Sequence, residues 1–201
     1  MKKTITLLSA CAGLFAVATL LSSCGPGCNG ASGVAGLFAL GTQETRVIGR
    51  KADSAAAKPA PALAVAQWMQ GPEVQVTTGQ VTVVEFWATW CPPCRTSIPH
   101  INEIYKKHKD SGLAVVGLSN EKPEVVKPFI EKQGGSMTYP VAISSKADYA
   151  NYMEAWGIGG IPHAFVVGAD GGVAWHGHPM DSGFEAVIKR ELDKIPRDVV
   201  E

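Results

Sequence analysis

No charge imbalance marks this sequence: 18 Lys and Arg stand against 18 Asp and Glu in 201 residues. The whole-chain field therefore gives no attraction for nucleic acid or for a strongly acidic partner, and partners have to be argued from a site. No internal repeat is visible, so the organisation is read segment by segment. Side chains are 46% hydrophobic and 18% charged, material for one ordinary core and little for a second. Cysteine is scarce as well, with five in all, and three of them, Cys11, Cys24 and Cys28, precede residue 30. A closed zinc site needs four ligands, and Cys28 is the only further cysteine that the pair at 91 and 94 can draw on.

What is present begins with Lys2-Lys3, an apolar run from Ile5 to Leu21, and then Leu21-Ser22-Ser23-Cys24. Basic, apolar and small residues in that order form an export signal. The segment also resembles the bacterial lipoprotein signal, in which a Leu and two small residues precede a cysteine that is diacylated and becomes the mature N-terminus. The preferred reading is a signal peptide over 1–23 and lipidation at Cys24. An uncleaved anchor and full release remain open, since a run of this length is at the lower limit for spanning a bilayer. Losing Lys2 and Lys3 with the signal takes the 18 basic residues to 16 against 18 acidic ones. The expected location is the cell envelope, on the periplasmic or extracytoplasmic side and held at the membrane.

Residues 24–60, rich in Gly, Ala, Ser and Pro, read as a flexible tether. Cys28 within it has no assigned role. The domain is placed at 61–201, where short β-branched runs alternate with amphipathic segments, the pattern of an α/β layer fold. Strands are expected at Val74–Val76, Val81–Trp87, Ala114–Leu118, Val141–Ile143, Ala164–Val167 and Val173–His176. Helices are expected at Pro92–Lys109, Pro123–Gln133, Lys146–Trp156 and Ser182–Ile195, with Pro99 bending the first and Pro128 bending or delaying the second. The strands before and after the first helix should run parallel, because that connection requires a crossover. Gly168-Ala169-Asp170-Gly171-Gly172 reads as a hairpin turn, so the sheet is mixed.

The chemistry lies in Trp90-Cys91-Pro92-Pro93-Cys94. Two cysteines three apart at a helix start share a face and can close a small disulfide ring with little backbone movement. The preceding strand runs straight into Cys91, which puts that sulfur at the helix N-terminus. Free backbone N–H groups and the positive dipole end there stabilise a thiolate, making Cys91 the nucleophile. Pro92 and Pro93 forfeit nothing at the first helical positions and stiffen the ring. Cys94, one turn further in, is the expected resolving thiol.

The stretch Val84-Glu85-Phe86-Trp87-Ala88-Thr89-Trp90-Cys91-Pro92-Pro93-Cys94-Arg95, with Pro99 and the later Gly160-Ile161-Pro162, resembles the thioredoxin superfamily. More narrowly it is similar to the anchored, extracytoplasmic TlpA-like and ResA-like branch, several members of which serve cytochrome c maturation. The resemblance implies a thioredoxin-like mixed β-sheet flanked by helices, with Pro162 as the cis-proline of a loop beside the disulfide and Ile161 offering its backbone to an extended substrate. The 43 residues between Leu118 and Pro162 leave room for the extra βα insert of that branch, Val141–Ile143 with Lys146–Trp156.

Glu85 shares a strand face with Trp87. The resemblance implies a buried acid there that relays a proton for Cys94, while an edge glutamate in solvent is the alternative. Trp90 is assigned to shaping the surface beside Cys91, so the candidate substrate-binding set is Trp90, Pro92, Pro93, Ile161 and Pro162. Trp87 is expected to pack and Arg95 to be solvated. His163, His176 and His178 raise the question of metal, but the preferred reading calls for no metal and no cofactor. The expected partners are exported proteins carrying thiols or disulfides, with a membrane electron donor if the protein is a reductase. A copper chaperone or a thiol-peroxidase-like redoxin on the same fold are the alternatives.

Overall fold

The computed structural model describes residues 57–196. The signal segment 1–23, Cys24, Cys28 and the tether as far as residue 56 lie outside the described residues. Six strands form one sheet: β1 (Gln67–Gln70), β2 (Val81–Phe86), β3 (Leu113–Ser119), β4 (Val141–Ile143), β5 (His163–Val167) and β6 (Val173–Gly177). Their order across the sheet is β1-β4-β3-β2-β5-β6. β2 is central, pairing parallel with β3 and antiparallel with β5, and every residue in it is buried. A strand covered on both faces needs a near-continuous apolar sequence, which Val81-Thr82-Val83-Val84-Glu85-Phe86 supplies except at Thr82 and Glu85.

Alternation along β2 feeds two cores. Val81 and Val83 meet Ile98 and Ile101 of α1 (Pro92–His108), Val126 and Ile130 of α2 (Pro123–Gln133), and Val187 and Ile188 of α4 (Phe184–Leu192). Val84 and Phe86 face the other way, onto Tyr152, Met153 and Phe165. Glu85, in phase with Val81 and Val83, therefore points into the first core. Lys106, Lys107 and His108 close the last turn of α1, where positive charge complements the helix dipole.

The expected βα insert is present, with β4 adding parallel to β3. Its helix departs from a regular α form: α3 (Lys146–Asp148) passes into a π turn at Tyr149–Met153 and a 3₁₀ turn at Glu154–Trp156. The β5–β6 connection is a hairpin turn in which Gly171 has φ 80°, a left-handed conformation that favours glycine.

One expectation needs correction. Val74–Val76 is not a strand, and the strand on that side is Gln67–Gln70, antiparallel to β4. Val74 is buried, but Gly71-Pro72 before it and the turn near Thr78-Gly79 after it take the chain off the sheet edge, so alternation here marks burial without pairing. α2 has the expected bounds, Pro123–Gln133, with Pro123 in its first turn and Pro128 inside it, so the helix does not start late. Residues just before the expected domain start are also tied to it: Val173 N–H donates to the Lys58 carbonyl and Ala60 N–H to that of Gly171, both at 2.9 Å. Tyr152 Oη donates to the Pro61 carbonyl at 2.6 Å, and Ala64 N–H donates to Asp148 Oδ1 at 2.6 Å.

Candidate active site

β2 ends at Phe86, and the chain crosses Trp87 to Trp90 to reach α1 with Cys91 as its N-cap. Cys91 and Cys94 form a disulfide, with Cα atoms 5.3 Å apart. The Cys94 N–H points at Cys91 Sγ over 3.2 Å, so the first sulfur receives a backbone donor as well as the positive helix end. Cys91 Sγ also lies 3.8 Å from the Ile161 carbonyl, a contact only, since an oxidised sulfur carries no proton. The Ile161–Pro162 peptide bond is cis, and Pro162 leads directly into β5.

A groove of about 360 Å³ opens beside Cys91, lined among others by Trp90, Pro92, Pro93, Tyr149 and Ile161. Trp90, 67% exposed, forms its rim. Four of the five residues expected to meet substrate line this groove; Pro162 itself is buried behind Ile161. Cys94 does not line it and is fully buried. Arg95 is exposed, whereas Trp87 packs on Phe129 with ring centroids 5.2 Å apart.

Glu85 is fully buried, not an edge residue. Burial pushes its carboxyl up to about 8, opposed by hydrogen bonds from Tyr139 and Ser97 that favour the charged form. Tyr139 Oη donates to Oε2 at 3.0 Å, and Ser97 Oγ lies 3.5 Å from Oε1. Ser97 stands one turn after Cys94 on α1, so the carboxyl lies beneath the part of the helix that carries the second sulfur.

Several residues of this site carried no decisive mark in the sequence. Glu121, just after β3, accepts from Thr89 N–H at 2.6 Å, Thr89 Oγ1 at 2.8 Å and Ser119 Oγ at 3.2 Å. It thereby clamps the turn that presents Trp90 and Cys91. Its place at the C-terminal end of a parallel strand is where α/β folds gather ligand-facing groups, the one available hint. Tyr139, Asn120 and Tyr149 reach the site only through the folding of distant segments.

His163 Nε2 and His176 Nδ1 are 3.1 Å apart. Burial and the neighbouring His176 and His178 lower His163 to about 4, so this pair is neutral at neutral pH. Among the described residues, no group of three or more His, Cys, Asp or Glu is placed to hold a metal ion.

A family model described as AhpC/TSA matches residues 49–176, well over half of the chain. The chain belongs to the AhpC/TSA family. Within reach of this AhpC/TSA chain, the thiol-disulfide oxidoreductase ResA of Bacillus thuringiensis (strain Al Hakam) is 31% identical over 102 residues, 50% of this chain and 56% of that protein. Sporulation thiol-disulfide oxidoreductase A of Bacillus subtilis is 28% identical over 116 residues, covering 55% and 67%. The match thus spans about half the length of the ResA relative, 56% of it. A thioredoxin-family thiol:disulfide interchange protein from Chlorobium tepidum TLS has a similar solved structure, with a TM-score of 0.59 and 31% identity over 69% of this chain and 98% of that one. The AhpC/TSA chain therefore has the thioredoxin-like fold, six mixed strands flanked by helices.

Proposed function

We propose that this protein is a thiol-disulfide oxidoreductase that works through Cys91 and Cys94 by way of a mixed disulfide. The observation that carries the reading is the disulfide at a helix N-cap, its first sulfur lining an open groove beside a cis-proline loop. In the reducing direction, Cys91 thiolate attacks a substrate disulfide, forming a bond from Cys91 Sγ to one substrate sulfur and releasing the other as thiolate. Cys94, having lost its proton, then attacks Cys91 Sγ. The Cys91–Cys94 bond forms, the bond to substrate breaks, and two electrons have passed to the substrate.

Residues of the groove have separable roles in this scheme. Ile161 presents backbone groups to an extended substrate chain, and Trp90, Pro92 and Pro93 give that chain an apolar surface. Glu85 accepts the Cys94 proton, for which a carboxyl titrating near neutral pH is suited. Reduced protein should cleave the disulfides of a model substrate such as insulin, and Cys91→Ser should fall to the uncatalysed rate. Tight copper binding by the reduced protein without any catalysis of exchange would overturn the reading in favour of metal carriage.

Placement outside the cytosol, at a membrane, belongs to the same proposal and is supported by Lys2-Lys3, the apolar run to Leu21 and Cys24. A reductant role toward exported proteins, of the kind cytochrome c maturation requires, with electrons from a membrane partner, is what the resemblance to the ResA-like branch supports. Acylated Cys24 would hold the mature chain at the bilayer. Replacing Cys24 by Ala should move the protein into the soluble fraction or stall its processing. A mature N-terminus upstream of an unmodified Cys24, read by mass spectrometry, would point to a transmembrane anchor.

A further inference from the structure

Glu85 is sealed in the core, so the polar atoms that touch it decide whether it can exchange a proton. Across the sheet its neighbours are Gly117 of β3 and Ala164 of β5, which bring no polar side chain. The titratable group hydrogen-bonded to it is Tyr139, from the segment before β4; Cys94, one turn before Ser97 on α1, is the thiol whose proton it takes in the scheme above once the disulfide is reduced. Tyr139 is fully buried, with its hydroxyl held to Oε2 at 3.0 Å. Burial and the adjacent Glu85 carboxylate raise the phenol well above its ordinary value, so Tyr139 stays protonated and remains a donor.

Ser97 behaves differently. Its hydroxyl has one proton and two acceptors within reach, Glu85 Oε1 at 3.5 Å and the Cys94 carbonyl at 3.0 Å. We propose that Tyr139 and Ser97 are positioning residues for proton transfer at Glu85, Tyr139 as a fixed donor and Ser97 as a partner whose hydrogen bond reverses with the state of the carboxyl. The proposal rests on the proton-accepting role of Glu85 given above.

With Glu85 ionised, the carboxylate accepts from Tyr139 and from Ser97. When it takes the Cys94 thiol proton, the new Oε1–H donates to Ser97 Oγ, and Ser97 turns its own proton to the Cys94 carbonyl. The freed Cys94 sulfur attacks Cys91 Sγ, the mixed disulfide breaks, and the electron pair leaves on the substrate sulfur. Both states of the carboxyl keep their hydrogen bonds with only hydroxyl hydrogens rotating, which matters in a core where an unsatisfied polar group is costly. Removing the fixed donor should make the ionised form harder to reach.

The test follows the Glu85 carboxyl directly, by carbon-13 NMR of glutamate-labelled, oxidised protein, beside the pH profile of insulin reduction. Tyr139→Phe keeps the ring and should move the carboxyl titration and the rate profile upward together by about one pH unit or more. Ser97→Ala should move both in the same direction by less, since its bond is the longer one. Glu85→Gln should remove the carboxyl titration and flatten the profile. A Tyr139→Phe protein with native circular dichroism and an unmoved carboxyl titration overturns the proposal while leaving Glu85 in its role. A rate profile untouched by Glu85→Gln overturns the role of Glu85, and the proposal with it.

Discussion

Cys94→Ser protein is expected to accumulate a covalent mixed disulfide through Cys91 in cells, while Cys91→Ser protein captures nothing above background. Both sulfurs are almost wholly enclosed in the oxidised state, at 1% and 0% exposure, so burial alone does not assign their roles. Position does. Cys91 lines the groove and receives the Cys94 N–H at its sulfur, whereas Cys94 is absent from the groove wall. Once substrate is attached, release depends on a neighbouring thiol attacking within the same molecule, and well-placed intramolecular attack is worth effective molarities on the order of 10⁵ M or more. Serine at 94 removes that attack, so the intermediate should persist from milliseconds or seconds to a time readable on non-reducing gels. Equal capture by the Cys91→Ser protein, or capture through Cys94, would exchange the two roles.

Glu85→Gln is expected to make the oxidised protein more resistant to urea at pH 9 and to flatten its stability between pH 6.5 and 9. The folded-state value near 8 lies above the ordinary 4.5, so the unfolded chain gives up its proton first. Over the interval between the two values the native state binds a proton that the unfolded state lacks, and stability falls as pH rises, levelling off above about 8. At about 1.36 kcal/mol per pH unit of difference, the full interval is worth several kcal/mol, a large part of a domain's stability. Working above pH 6.5 avoids His163, whose lowered value of about 4 gives a loss of stability in the opposite direction, as pH falls below 6.5. Gln retains an oxygen to accept from Tyr139 but has nothing to ionise. Parallel stability curves for wild type and variant, from urea midpoints across the range, would show that Glu85 does not carry the charge change. A core acid that weakens the fold when ionised, with the proton-accepting role proposed for it, fits a site where stability is given up for chemistry.

The clamp at Glu121 ties down the base of the Cys91 turn, while its rim lies open to the groove. Thr89 is held by two hydrogen bonds to the Glu121 carboxylate, which Ser119 Oγ also donates to, while Trp90, the next residue, stands 67% exposed.

Much of this arrangement was legible in the residues themselves because it is local. The Cys-Pro-Pro-Cys order dictates a helix start, an N-capping sulfur and a ring, since each depends on atoms a few bonds apart. The β-branched run at 81–86 marks a doubly buried strand, and the Asp170-Gly171-Gly172 turn marks a hairpin, for the same reason. Local pattern failed at Val74–Val76, where Val74 is buried and Val76 partly so but neither has a strand beside it, and at Gln67–Gln70, whose strand exists only because β4 lies alongside. It could not supply Tyr139, 54 positions from the carboxyl it serves, nor Glu121, 32 positions from Thr89. The sequence by itself determined which two sulfurs pair and that one of them begins a helix. The tertiary structure alone decided that Glu85 is enclosed, which groups hydrogen-bond it and which distant residues line the groove, because desolvation and long-range contacts are properties of the packed chain and of no segment within it.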